Sequence, residues 1–365
     1  MTVIITDEDV ARHLSMRECI DSMATAFADF SSGDAVNLPR VRYQARHPDP
    51  TRRYFANVHV GAVPSAGIAC VRAGSQIIVP PSPTNNRRLY ENPRPFCWGI
   101  VILFDIETAE PLALMHEFQL SGMRVGATSG LAVEHIAPKD VKTLGLFGSG
   151  KQAGAAFDAI TCVREIERVV VFSPNADHRD KFVAAKAKQA AGKIEVVSAG
   201  GPQEVVRGAD IICCCTTAME PVFDGDWLTD GQLVISIANS DATNKKRTEV
   251  DETTYAKSTA LVVNDWESVI DNDQTELLEP LEAGLISRDR IVELGDIVAG
   301  KVAVRSGGAG IVYYKNNSGL AIQFAAAGRI VYDRVIAEGT NREIPTEWLG
   351  TDLSALYDSG FRPSP

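Results

Sequence analysis

Two rhythms of apolar and polar residues divide the chain. In the first, up to residue 116, short segments read as β-strands over 36–45, 54–60, 67–78, 98–105 and 112–116, the last two paired through the polar turn 105–110. A helix over 16–31 precedes them, started by a capping box in which Ser15 is followed three residues later by Glu18. In the second rhythm, continuous apolar runs at 141–147, 169–172, 194–197, 210–216, 232–238 and 260–264 are separated by helix-like stretches such as 177–191 and 202–209. Short uninterrupted apolar strands spaced by helices are the pattern of a parallel sheet covered on both faces. A helix over 119–136 carries the chain from one rhythm into the other. Near the far end Leu320, Phe324, Ala327, Ile330, Val331 and Val335 recur near helical spacing, which predicts a helix over 318–337 stopped at Gly339. That helix returns the chain to the first unit. The expected fold class is therefore α/β, with a unit at 129–317 inserted into a second, α+β unit built from 1–128 and 318–365. The stretch 79–95, broken by Pro, Asn and Arg, fits no regular element and is expected to act as a lid.

Bulk composition narrows the ligand class. A chain of 365 residues, 45% of them hydrophobic, can bury the cores of two domains. A formal net charge of -11 argues against nucleic acid or an anionic membrane as main partner and leaves a small metabolite as the natural ligand. The start of the chain carries Asp7, Glu8 and Asp9 rather than a basic, then apolar, leader, and runs such as 98–104 are of strand length, so a cytosolic protein is expected. Seven cysteines show no C-x-x-C pair. Cys213, Cys214 and Cys215 are adjacent on an expected strand, where successive side chains face opposite sides, so no metal site is expected there and the thiols read as small hydrophobes.

The run at 141–147 (VKTLGLF) leads into Gly148, Ser149, Gly150, Lys151, Gln152 and Ala153, so a buried strand breaks into a glycine turn and then a helix. In that context the glycines carry a dinucleotide fingerprint: Gly148 for the sharp turn, Gly150 for backbone approach to a pyrophosphate, and Ala153 small enough for the helix to pack on the strand. The helix start then offers unpaired N–H groups and a positive dipole end to the phosphates. Six parallel strands are the count such a Rossmann fold needs. The ribose is read at the end of the second strand, where residues 171–175 carry no acid. Ser173 and Asn175 can bond a 2′-phosphate and Arg179 can neutralise it, which favours NADP(H); Asp177 keeps NAD(H) open, unless it only caps its helix. Thr216, at the end of the run 210–216, is a further expected cofactor contact.

Four separated segments, 122–132 (GMRVGATSGLA), 148–153 (GSGKQA), 293–300 (ELGDIVAG) and 314–321 (YKNNSGLA), resemble the ornithine cyclodeaminase/mu-crystallin family in order and spacing. The resemblance implies a Rossmann domain joined to a half-barrel that pairs across a homodimer. It implies hydride transfer between nicotinamide and the α-carbon of a small amino or imino acid, with activities ranging over cyclodeamination, imine reduction and amino-acid dehydrogenation, and with some members acting mainly as binding proteins.

Candidate roles follow from that resemblance. Arg124 matches the family's carboxylate-binding arginine, and a guanidinium fork suits a carboxylate bidentately; a helix start beside it would add to the attraction. Arg40 resembles a second such arginine, with Arg42 on the same strand face as the alternative. Arg72 falls where cyclodeaminases carry a lysine. A guanidinium binds anions but does not act as acid or base, which moves the expectation toward a reductase whose substrate has an extra anionic group, the alternative being a structural ion pair. Asp241 matches the aspartate that works at the substrate nitrogen, with Asn239 able to take that place; beside cations its carboxylate would hold an iminium better than donate a proton, which leaves a water relay. His59 is a further substrate contact and candidate acid, against a structural role. Lys315 and Ser318 match a segment expected near the cofactor. The expected function is an NAD(P)H-dependent imine reductase or amino-acid dehydrogenase; the alternatives are a cyclodeaminase with bound NAD and a nucleotide-dependent binding protein.

Overall fold

The computed structural model describes residues 1–80, 89–94, 96, 98–241, 247–305, 309–316, 319–340 and 342–354. The chain opens with β1 (Thr2–Ile5), α1 (Asp7–His13), α2 (Met16–Ser32), β2 (Val36–Asn37), β3 (Val41–Arg46), β4 (Arg53–Val63), β5 (Ile68–Val79), β6 (Leu89–Tyr90), β7 (Trp98–Asp105), β8 (Pro111–His116) and α3 (Phe118–Ile136). It continues through β9 (Thr143–Phe147), α4 (Lys151–Val163), β10 (Arg168–Phe172), α5 (Ala176–Ala190), β11 (Glu195–Ser198), α6 (Pro202–Val206), β12 (Ile211–Cys214) and β13 (Leu233–Ser236). Then follow α7 (Glu252–Lys257), β14 (Ser258–Val263), α8 (Trp266–Asp271), α9 (Thr275–Glu282), β15 (Ile291–Glu293), α10 (Leu294–Val298), β16 (Ile311–Lys315), α11 (Ala321–Glu338) and β17 (Glu343–Ile344).

Two sheets result. One has the order β17-β1-β8-β7-β5-β4-β2, with β3 on β4 and β6 on β5, and draws strands from both ends of the chain. The other has the order β11-β10-β9-β12-β13-β16-β14-β15, and every neighbouring pair in it is parallel. Both faces of this second sheet are buried. Cys213 and Cys215 join the apolar cluster on one face and Cys214 the cluster on the other, as the alternation of a strand requires. Among the described residues no group of three His, Cys, Asp or Glu is placed to hold a metal, and no helix is long and apolar enough to cross a membrane.

Local chemistry accounts for the element ends, and for departures from the sequence reading. Ser15 and Glu18 make both hydrogen bonds of the capping box at α2, which ends at Gly33 in the left-handed region at φ 86°. The strand expected over 36–45 is broken into β2 and β3. Pro39 has no N–H to give a ladder, and the break carries Arg40 inward to a buried position. The stretch 79–95 is not wholly irregular, because Leu89 and Tyr90 pair with Val79 and Ile78; residues 81–88 and 95, on which the lid expectation mostly falls, lie outside the described residues. The parallel sheet has eight strands rather than six. β16 is a fully buried five-residue run wedged between β13 and β14, and β15 adds a three-residue edge; neither is among the six expected strands.

Helix α3 brings the two sheets together. A side chain at Gly126 would collide with the Ala155 carbonyl of α4, and one at Gly130 would sit 3.0 Å from the Ala159 Cβ, so small residues let the two helices approach closely. Arg124 lies two positions from both Gly122 and Gly126, about 200° around the helix, and therefore points away from α4. Helix α11 lies across β4 and β5 on the inner face of the first sheet. The carboxyl ends of β9, β12 and β13 open toward that inner face, the place where open α/β sheets take ligands.

Candidate active site

Register on the first sheet builds one wall. Arg42 is paired across β3 and β4 with Asn57, and His59 is paired across β4 and β5 with Arg72. Asn57 and His59 are two apart on β4 and share a face, so the four side chains form one inward cluster. With Arg40, Ser121, Arg124, Val125, Gln152, Ile237, Asn239, Arg247 and Gly319 they line a cavity of about 210 Å³ between the two sheets. Among the described residues, five guanidinium groups line it and no carboxylate does.

Two carboxylates stand just behind this lining. Arg72 is bound to Glu117 at 2.6 Å and donates to the Asn57 carbonyl at 3.2 Å. Glycine at positions 74 and 99 leaves room for that pair: a Cβ at Gly99 would overlap the Glu117 side chain, and one at Gly74 would lie 3.0 Å from the Arg72 guanidinium. Burial by itself would raise the Glu117 carboxyl, but Arg72, with Arg124 and Lys151, holds it below the usual carboxylate range. Arg42 pairs with Asp241. Arg124 is 6% exposed; it donates to Gln323 Oε1 at 2.7 Å, while Gln323 donates to Thr128 at 2.7 Å, and its guanidinium lies 4.7 Å from the Phe324 ring centre. Burial, opposed by Glu117 and reinforced by Arg72 and Arg40, pulls Arg124 down to about 9, so it stays charged at neutral pH. Arg40 donates to Asn272 Oδ1 at 3.1 Å, and Arg247 to the Thr216 carbonyl at 3.1 Å. His59 is 3% exposed, and neither ring nitrogen has a hydrogen-bond partner among the described residues. Burial first, then Arg72, Arg124, Arg40 and Arg42, push it well below the ordinary histidine range, so it is neutral at pH 7.

The glycine elbow borders the cavity on the other side. Gly148 has φ 107°, its N–H donates to the Phe172 carbonyl at 2.8 Å, and a Cβ there would collide with the Cys215 carbonyl. Only glycine fits that position. Gly150, the residue before α4, has nothing within 4 Å of where a Cβ would stand, and Ala153 is fully buried under the helix. This is an open cradle at a helix N-terminus, the geometry that suits a pyrophosphate. Gln152 reaches the cavity. Thr216 is fixed by its N–H and hydroxyl to Glu249 at 2.6 and 2.7 Å, and the other oxygen of Glu249 takes Ser236, Ile237 and Ala238 at 2.9, 3.0 and 2.9 Å. One buried carboxylate thus pins the ends of both β12 and β13.

The family model of the ornithine cyclodeaminase/mu-crystallin family matches residues 1–339. The chain belongs to that family. It is 28% identical over 343 residues to a delta(1)-pyrroline-2-carboxylate reductase of Bacillus cereus, covering 94% of this chain and 99% of that one. It is 24% identical to an alanine dehydrogenase of Archaeoglobus fulgidus, covering 94% and 98%. Among solved structures, the Thermococcus litoralis delta(1)-pyrroline-2-carboxylate reductase in complex with NADH and L-proline superposes with a TM-score of 0.80 at 28% identity, over 94% of this chain and 100% of that one.

Against this family background the structure sorts the expected residues. Arg40, Arg72, Arg124 and His59 come together in one cavity, and both arginines weighed at the β3 edge, Arg40 and Arg42, line it. Arg124 sits in the second turn of α3 rather than at its start, so its hold on an anion comes from its own charge and not from the helix end. Arg72 is in a buried ion pair and a cavity wall at once. Asp241 does not line the cavity: its carboxylate is committed to Arg42, and Asn239 stands in the lining instead. Lys315 is fully buried and bound to Glu276 at 3.1 Å and to the Ala238 carbonyl, which makes it a brace for the β13 end, not a lining residue. Lys151 folds back onto the Phe118 carbonyl and ring. Asn175, not Asp177, caps α5, accepting from His178 N–H at 2.9 Å; Ser173 is half-buried beside it; Arg179 is bound to Asp180 at 3.0 Å and to the Ala199 carbonyl at 3.3 Å. Ser149 lies half-buried in the elbow, and Ser318 is outside the described residues. Sequence reasoning missed Glu117, Glu249, Arg247 and Gln323. Each lies outside a recognisable motif and acquires its place only when distant strands meet.

Proposed function

We propose that the protein is an NAD(P)H-dependent oxidoreductase acting at the α-carbon of a small imino or amino acid, in the sense of imine reduction or amino-acid dehydrogenation. The observation that carries this reading is the cluster of guanidinium groups around a neutral histidine, opening onto a glycine cradle at the α4 N-terminus into which no protein side chain projects at Gly150. Arg124, held rigid by Gln323 and Phe324, and Arg40 grip the α-carboxylate. Gly148, Ser149, Gly150 and Gln152, with Thr216 beside them, would hold a nicotinamide dinucleotide, which would supply the hydride chemistry at the α-carbon. His59 presents a neutral N–H and a lone pair to the substrate nitrogen, while Asp241 positions Arg42 rather than touching substrate. NADP(H) is the favoured form, because no carboxylate stands at the end of β10 and Arg179 lies on the adjoining helix turn; the solved Thermococcus relative carries NADH.

A homodimer fits the outer face of the first sheet. Ile4, Leu114, Ile102, Val71 and Val60 form one in-register apolar row across β1, β8, β7, β5 and β4, with Ile100 beside it 51% exposed. A cytosolic location remains an expectation of the sequence.

The test is a screen of 2-oxo acids with ammonium or methylamine, together with preformed cyclic imines, following NADPH and NADH oxidation separately. Stoichiometric oxidation is expected, faster with NADPH, and Arg124→Gln is expected to lower kcat/KM by about 100-fold or more, the scale of losing a buried charge-assisted bond. Ammonia release from a diamino acid with no net change in nicotinamide absorbance would overturn the proposal in favour of cyclodeamination.

A further inference from the structure

Arg72 does not stand up from its strand. On the inner face of the first sheet Asn57, Gly74 and Gly99 are paired in a row across β4, β5 and β7, so two adjoining positions there carry no side chain. Arg72 is two residues before Gly74 on the same face, and its guanidinium lies over that glycine: a Cβ at Gly74 would stand 3.0 Å from Nη2 and 3.1 Å from Nη1. Glu117 fills the neighbouring bare position, since a Cβ at Gly99 would overlap its side chain. The buried guanidinium and carboxylate meet over this bed of glycines at 2.6 Å, while Arg72 Nη1 donates to the Asn57 carbonyl at 3.2 Å. The Glu117 N–H donates to the Gly99 carbonyl at 3.2 Å, which seats the start of α3 on β7. Arg72 and Arg124 flank the same Phe324 ring, 6.0 and 4.7 Å from its centre. Their partners differ in charge. Arg124 donates to the neutral Gln323 amide, whereas Arg72 is bound to a carboxylate that does not line the cavity.

The geometry points to Glu117 as a positioning residue: it holds the Arg72 guanidinium flat in the cavity wall and compensates its charge, so that Arg72 offers N–H donors to a ligand without acting as a carboxylate anchor. This rests on the reductase reading above only in taking the cavity as the place where an acid binds. Two effects follow from the contact. An arginine side chain released from the wall would take up much of a space of about 210 Å³, so the ion pair keeps the cavity open. The pair also sets which guanidinium faces the ligand with its charge uncompensated by a bound carboxylate, and that is Arg124. Burial alone would raise the Glu117 carboxyl, yet Arg72, Arg124 and Lys151 hold it below the usual carboxylate range, so it is charged at neutral pH. A buried pair is seldom worth more to stability than apolar side chains of the same volume, so its place in the wall is better explained by what it does to the cavity.

The test is an equilibrium titration and needs no turnover. Butyrate and succinate, alike in length and different by one carboxylate, serve as probes of the Arg72 charge and are titrated calorimetrically into the full-length protein with NADP+ present. Glu117→Gln keeps the shape of the side chain and an oxygen for Arg72 but removes the countercharge. It is expected to strengthen succinate binding relative to butyrate by about tenfold, the scale of one charge-assisted hydrogen bond. Adding Arg72→Gln to that variant is expected to bring the ratio back to within about threefold of the wild-type value, because the two residues act as one unit. A merely structural role would weaken both acids together and leave their ratio unmoved. Glu117→Asp keeps a charge beside Arg72 and so guards against misfolding; it is expected to shift the ratio in the same direction by less, and it carries the comparison if Glu117→Gln unfolds. Thermal unfolding is followed in every variant. A ratio unmoved in the folded Glu117 variants, or one that stays shifted when Arg72 is replaced as well, would overturn the role given to Glu117 and leave the reductase reading standing. Binding of neither acid to the wild-type protein would overturn both.

Discussion

His59 and Arg124 show how single residues in this cavity depart from their solution behaviour. A histidine whose two nitrogens are buried among guanidiniums cannot take up a proton in the folded state, whereas the unfolded chain binds one below about pH 6.5. The unfolded state then holds more protons, so the stability His59 allows is fully present above about pH 6.5 and is lost as pH falls below it, at up to about 1.4 kcal/mol per pH unit. His59→Asn is expected to flatten the acid limb of a Tm-against-pH curve between about pH 6.5 and 5; an unchanged limb would mean that other groups govern it. Arg124, for its part, was matched to its role by a sequence segment, but its partners Gln323 and Phe324 lie about two hundred residues away and were not legible at all. The same holds for Glu117. Nothing in a glutamate just ahead of a predicted helix says that it will meet Arg72, since that meeting depends on which side of β5 and β7 the pleat turns.

Among elements, the strand–turn–helix at the elbow separates conformational need from space for a ligand. Gly148→Ala is expected to destabilise the fold by about 2 kcal/mol or more, because φ 107° is strained for any L side chain and the Cβ meets the Cys215 carbonyl. Gly150→Ala meets no protein atom and is expected to leave Tm nearly unchanged while weakening NADPH binding in a fluorescence titration. Equal effects of the two on Tm would count against the cradle. Other segments that carry the family resemblance turn out to be joints between elements. Gly126 and Gly130 let α3 meet α4, and Gly295 lets α10 approach the Phe27 carbonyl of α2. Asn316, after β16, donates to the Val125 carbonyl and the Ser129 hydroxyl of α3, fastening the parallel sheet to the cavity wall. These glycines and this asparagine stand out in the sequence, but their partners do not.

For the whole molecule, the open apolar face of the first sheet sets the expected assembly. Ile100→Glu places a charge at a half-exposed position, so it is expected to leave the monomer folded and to shift the mass in light scattering from dimer toward monomer. A dimer that survives that charge would place the interface elsewhere. Much of the architecture was determined by the sequence alone: the parallel sheet from uninterrupted apolar runs, the glycine elbow from its strand context, the helices at 16–31 and 119–136 from caps and periodicity, and the return of the chain end to the first unit. These features depend on local sterics and on burial of one face, which are written in neighbouring residues. Tertiary structure alone decided that β16 enters between β13 and β14, that Asp241 holds Arg42 while Asn239 faces the cavity, that Lys315 braces a strand end, and that five arginines share one small space. Each of those outcomes follows from strand order, register and the side to which a pleat turns, quantities fixed by contacts between residues far apart in the chain and therefore absent from any short stretch of it.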